Sequence, residues 1–120
     1  MRHTPLRRRT GFTFIELLTV VVIIGILASL AITKFGDSKK RAFYAAMKSD
    51  LKGLATMAET QFANENTYAN FNAPLGSQGV TLTFTPNAQG WSAKATHTGL
   101  PGVQCTLVAG PGQNGGPQCN

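Results

Sequence analysis

Thr10-Gly11-Phe12-Thr13-Phe14-Ile15-Glu16-Leu17 is the stretch on which the reading of this chain turns. A short basic arm precedes it. An uncharged run, Leu17 to Thr33, follows it. Glu16 is the only charge between Phe12 and Thr33. A carboxylate at the edge of an apolar helix of this length is costly, so it points to function. If the chain were cut between Gly11 and Phe12, the new α-amine would be the natural partner for Glu16, four residues on.

Charge is unevenly placed around this junction. The 120-residue chain has a formal charge of +6. Arg2, Arg7, Arg8 and Arg9 put +4 on residues 1–11, which hold no acid. The remainder carries seven Lys/Arg against five Asp/Glu, a charge of +2. A basic arm can bind nucleic acid, but beside an apolar run a targeting leader is the more economical reading. An ordinary secretory signal does not fit. The apolar stretch lies after Gly11-Phe12, and no A-x-A-like site follows it; Lys34-Phe35-Gly36 is a poor candidate. The apolar segment is expected to stay in the mature chain.

Gly11-Phe12-Thr13-Phe14-Ile15-Glu16-Leu17-Leu18, followed by Val20-Val21-Val22-Ile23-Ile24-Gly25-Ile26-Leu27-Ala28, resembles the N-terminus of type IV pilins and their pseudopilin relatives. The likeness is dense from Gly11 to Ile32. It continues more loosely through Ser49-Asp50-Leu51-Lys52 and Asn66-Thr67-Tyr68. The resemblance implies cleavage between Gly11 and Phe12 by a membrane-embedded prepilin peptidase, and N-methylation of Phe12. It also implies assembly into a filament through Phe12 and Glu16. Pilins typically have a proline after the glycine of the apolar run. Ile32-Thr33-Lys34 stands at that place here, so the usual kink is not assured.

Phe12 to Thr33 as a helix reaches roughly 33 Å, enough to cross a hydrocarbon core of about 30 Å. Backbone groups in lipid must pair internally, which forces a helix despite the β-branched residues. The positive-inside rule does not set the orientation, because Lys34, Lys39, Lys40 and Arg41 flank the far end. The family's cytoplasmic leader and a C-terminal disulfide, which needs an oxidising compartment, both place the head outside the cytoplasmic membrane.

From Asp37 the pattern becomes amphipathic. Phe43, Met47, Leu51, Leu54, Ala58 and Phe62 recur at helical spacing and predict a stripe that packs on a head. The helix is expected to end near Asn64-Glu65-Asn66, with a soft spot at Gly36-Asp37-Ser38. The head reads as a three-strand meander. Val80–Thr85 alternates apolar and polar residues, as do the stretch from Trp91 to Thr96 and that from Val103 to Leu107, with turns between them. Cys105 and Cys119, the only cysteines, enclose a Gly/Pro-rich tail. A disulfide closing that 15-residue loop is worth about 3 kcal/mol in the chain-entropy model. The spacing is not a zinc pattern, and the resemblance agrees with a stapled loop.

No Asp or Glu follows Glu65, and Lys94 is the only Lys or Arg after it. The head therefore lacks the carboxylates that acid–base catalysis and calcium binding draw on. His97, near a strand end, reads as an ordinary surface residue. No catalytic residue, metal ligand or cofactor site is expected, and near-neutrality argues against nonspecific phosphate binding.

The resulting expectation is an α+β protein. It comprises a cleaved leader (1–11), a hydrophobic transmembrane and assembly half-helix (12–36), an amphipathic half-helix (37–66) and a small antiparallel head with a disulfide loop (67–120). With the resemblance, the function expected is a pilin. It would wait in the bacterial inner membrane, be handled by the pilus assembly machinery, and polymerise with like subunits into a surface filament. The alternatives are a type II secretion pseudopilin, or a minor pilin of a DNA-uptake or adhesion pilus. Motility, adhesion and electron transfer are not separable from these residues.

Overall fold

The computed structural model describes residues 11–111 and 115–120. The basic arm, including Arg2, Arg7, Arg8, Arg9 and Thr10, lies outside the described residues. The order of elements is α1 (Phe14–Glu65), β1 (Val80–Asn87), β2 (Gly90–His97), β3 (Gln104–Ala109) and β4 (Gln118–Cys119). Two compact units divide between Gly36 and Asp37, and α1 contributes to both.

The first unit contains the apolar part of α1. Its large side chains, from Phe14 to Ile32, are all exposed. The segment is long and apolar enough to cross a membrane. Its few hydroxyls satisfy themselves. Thr19 donates to the Ile15 carbonyl, Ser29 to Ile26 at 2.7 Å and Thr33 to Leu30 at 3.0 Å. Such back-bonding leaves no hydroxyl hydrogen seeking a partner outside the helix. The helix begins at Phe14 rather than Phe12, because Thr13 takes the N-cap position.

The second unit is the head. Met47, Leu51, Leu54 and Ala58 of α1 are buried in one cluster with Val80, Trp91, Ala93, Ala95, Leu100 and Cys105. The expected stripe is therefore right at its centre and weaker at its ends. Phe43 is half-buried and Phe62 lies at the surface. Asn66, in the left-handed region at φ 53°, ends the helix, and its N–H bonds the Phe62 carbonyl at 2.8 Å. Asparagine tolerates that conformation better than most residues.

The sheet is antiparallel in the order β1-β2-β3-β4. Ala93 and Ala95 on the central strand β2 are small and buried, which leaves room for the helical stripe. The register aligns Leu82, Ala95, Cys105 and Cys119 across all four strands. The β1–β2 hairpin turns at Ala88-Gln89, and the Asn87 side chain accepts the Gln89 N–H at 3.1 Å. Gly90 follows because any Cβ there would fall 2.0 Å from the Ala109 carbonyl oxygen. The fourth strand corrects the three-strand expectation. Two residues are too few to show alternation, and Cys119 sits there because it is bonded to Cys105.

Candidate functional site

Two regions carry the chemistry: the N-terminus of α1, and a polar seam in the head. At the first, Phe12 is 91% exposed. Thr13 and Glu16 cap the helix reciprocally. The Thr13 N–H and hydroxyl donate to Glu16 Oε2 at 2.8 and 3.0 Å, and the Glu16 N–H donates to Thr13 Oγ1 at 3.3 Å. This is a capping box, and its signature Thr13-x-x-Glu16 was present in the sequence though unread. The carboxylate also lies where the helix dipole favours negative charge. The Glu16 carboxylate therefore already has hydrogen-bond donors within its own chain, while Gly11 and Phe12 precede the helix.

The polar seam in the head was not foreseen. Glu59, on a flank of α1, accepts the indole N–H of Trp91 at 2.9 Å and the hydroxyl of Tyr68 at 3.0 Å. Partial burial and then the Glu59 carboxylate hold the Tyr68 phenol above its usual range. Asp50 pins the loop before β1, accepting the Ser77 N–H at 2.7 Å and its hydroxyl at 2.8 Å. His97 is buried, which corrects its reading as a surface residue. Its ring stacks on Phe43 with centroids 4.0 Å apart, and Nδ1 accepts the Gly99 N–H at 2.9 Å. A single histidine at a strand end gives no sequence signal of that burial. Cys105 and Cys119 form the expected disulfide. Among the described residues no group of three His, Cys, Asp or Glu side chains could hold a metal.

A long apolar N-terminal helix with a capped acidic start, whose second half covers a small disulfide-closed sheet, is the architecture of a pilin-type subunit. The comparisons agree. The prokaryotic N-terminal methylation motif matches residues 6–32. The chain is 41% identical over 69 residues to the type IV major pilin protein PilA of Myxococcus xanthus, covering 58% of this chain and 31% of that one. It is 31% identical over 119 residues to the type II secretion system core protein G of Escherichia coli, covering 96% of this chain and 80% of that one. A fimbrial protein of Pseudomonas aeruginosa is 34% identical over 73 residues, covering 61% and 47%. The chain thus spans about a third of the Myxococcus pilin but most of the secretion protein. No solved structure matches it. The chain belongs to the family of the type II secretion system core protein G, and over its N-terminal part it is similar to type IV pilins.

Proposed function

We propose that this chain is the structural subunit of a type IV pilus, cut by a prepilin peptidase between Gly11 and Phe12 and methylated on the new Phe12 amine. The observation that carries the reading is the start of α1. An acid that caps its own helix stands at the head of a run of exposed Val, Ile and Leu, inside the stretch matched by the methylation motif.

The proposed mechanism joins that geometry to the family resemblance. In the waiting subunit the Thr13 N–H and hydroxyl hold the Glu16 carboxylate. On assembly the carboxylate turns to the Phe12 amine of a neighbour already in the filament. Leaving one member of such a pair buried and alone costs about 3–5 kcal/mol, which sets the register of addition. The apolar residues Leu17 to Ile32 then leave lipid and bury against equivalent helices. Heads form the outer shell. Repetition of one heterologous contact gives an open helical filament.

Mass spectrometry of the N-terminal peptide in the sheared surface fraction tests this. A methylated Phe12 terminus abundant there is the expected result; a chain still starting at Met1 in every fraction overturns it. Glu16→Ala is expected to lower filament yield without loss of membrane-held chain. Normal filaments from that variant would remove Glu16 from the mechanism.

The near full-length similarity to secretion core protein G favours a second reading, a pseudopilin of a secretion system. The same processed peptide confined to the membrane fraction would select it. A head without Asp or Glu after Glu65, closed by a disulfide, leans toward the pilus.

A further inference from the structure

Two oddities meet on one side of the head. Gly53 lies within α1, where glycine is the poorest helix former except proline. Nothing in the subunit requires it, since a Cβ built there meets no atom within 4 Å. Leu75, in the loop before β1, is 100% exposed. Both line one shallow groove of about 320 Å³, with Ser49, Asp50, Met57 and Pro74. Met57 is itself half exposed.

The loop that carries Leu75 is tied down on both sides. Phe71 packs edge-on against Phe84 with centroids 4.6 Å apart, and Ser77 is held by Asp50 through two hydrogen bonds. Leu75 is therefore presented by a fixed support. A bare glycine floor beside a held, fully exposed leucine is a surface shaped for close approach by another chain.

We propose that this groove is a head-to-head contact of the filament, filled by the amphipathic helix of a second copy of this chain. The inference rests on the filament reading above. Charge complementarity argues for a like chain. Within residues 46–58 the groove side carries a single charge, Asp50. Arg41, Lys48 and Lys52, spaced seven and four apart, share the opposite flank of the same helix and are exposed. Among the described residues these three make no ion pair or hydrogen bond through their side chains. A neighbouring helix that presents this flank lays the aliphatic stems of Lys48 and Lys52 over Gly53, Met57 and Leu75 and brings an ammonium to Asp50. Groove and basic stripe lie on different flanks, so the contact is heterologous and propagates instead of closing.

The test compares wild type, Gly53→Ala, Gly53→Leu and Leu75→Lys in cells, scoring the ratio of sheared filament to membrane-held chain. A further chain carries a photo-crosslinking benzophenone amino acid at position 75. Gly53→Ala removes a poor helix former without an internal clash, so its melting temperature in detergent should rise while its filament yield falls. Gly53→Leu and Leu75→Lys should cut filament yield tenfold or more, with membrane-held chain and the Cys105–Cys119 bond unchanged. Irradiation should give an adduct of twice the chain mass, joined to a peptide from α1. Wild-type yields from both Gly53→Leu and Leu75→Lys, or an adduct with a different protein, overturn the contact alone. A wild-type chain that makes no filament overturns the filament reading and this contact with it.

Discussion

Glu59 is placed by partners far along the chain. It lies off the buried stripe of α1, yet it accepts hydrogen bonds from both Trp91 and Tyr68. Trp91 is 1% exposed, so its N–H has no ready access to water once the carboxylate is gone. Glu59→Ala should destabilise the head by about 1–3 kcal/mol, the usual cost of orphaning a buried donor. Glu59→Gln keeps an acceptor and should cost less. Urea unfolding followed by Trp91 fluorescence, in detergent, gives both numbers; equal stability of all three chains would sink the argument. The same seam predicts alkaline sensitivity. The Tyr68 phenol is held above its usual value of about 10 by partial burial and by Glu59. The folded state thus keeps the proton more tightly than the unfolded chain. The stabilisation is complete below pH ~10 and is lost as pH rises through the folded value. Wild type should lose stability above pH ~10 more steeply than Tyr68→Phe, and parallel curves would remove Tyr68 from the account. None of this was legible, because a long-range polar contact leaves no periodic trace.

At the scale of elements, legibility follows pattern length. The helical stripe from Met47 to Ala58 and the alternation in β1, β2 and β3 were readable, because each repeats a burial period several times. The start of α1 was misplaced by two residues, although Thr13-x-x-Glu16 was there to read as a cap. His97 and β4 escaped for a common reason: each is placed by its partners. His97 is covered by Phe43, while β4 pairs its two residues with Cys105 and Thr106 of β3. This makes β4 dependent on the disulfide. Two pairs of residues are too few to hold a strand alone, and the Gly/Pro-rich stretch before Gln118 offers little burial. The double variant Cys105→Ser, Cys119→Ser should lose about 3 kcal/mol of head stability, the value expected for opening a loop of this length. It should also lose amide protection at Gln104 and Asn120, which bond across that edge. Hydrogen exchange measures the second effect. Protection unchanged at both amides would show that β4 holds its place without the covalent link.

For the whole molecule, the division between Gly36 and Asp37 separates two kinds of stability. Every large apolar side chain from Phe14 to Ile32 is exposed, so this segment contributes nothing to a buried core within its own chain. At about 25 cal/mol per Å² of apolar surface, such a face is tolerated only in lipid, in detergent or against other helices. The buried cluster of the head draws all of its members from residues after Asp37. The head's four-residue helical cover, its sheet and its disulfide are therefore independent of the apolar half. Removing residues 1–36 should yield a water-soluble monomer that unfolds cooperatively, with Trp91 buried and Cys105 bonded to Cys119. The intact chain should leave solution without detergent. Sedimentation and thermal unfolding of the two chains side by side decide the matter. A truncated head that aggregates, or that melts without a cooperative transition, would mean that the apolar half contributes to folding as well as to anchorage and assembly. A soluble, cooperative head would assign the first half of α1 to the membrane and the filament alone.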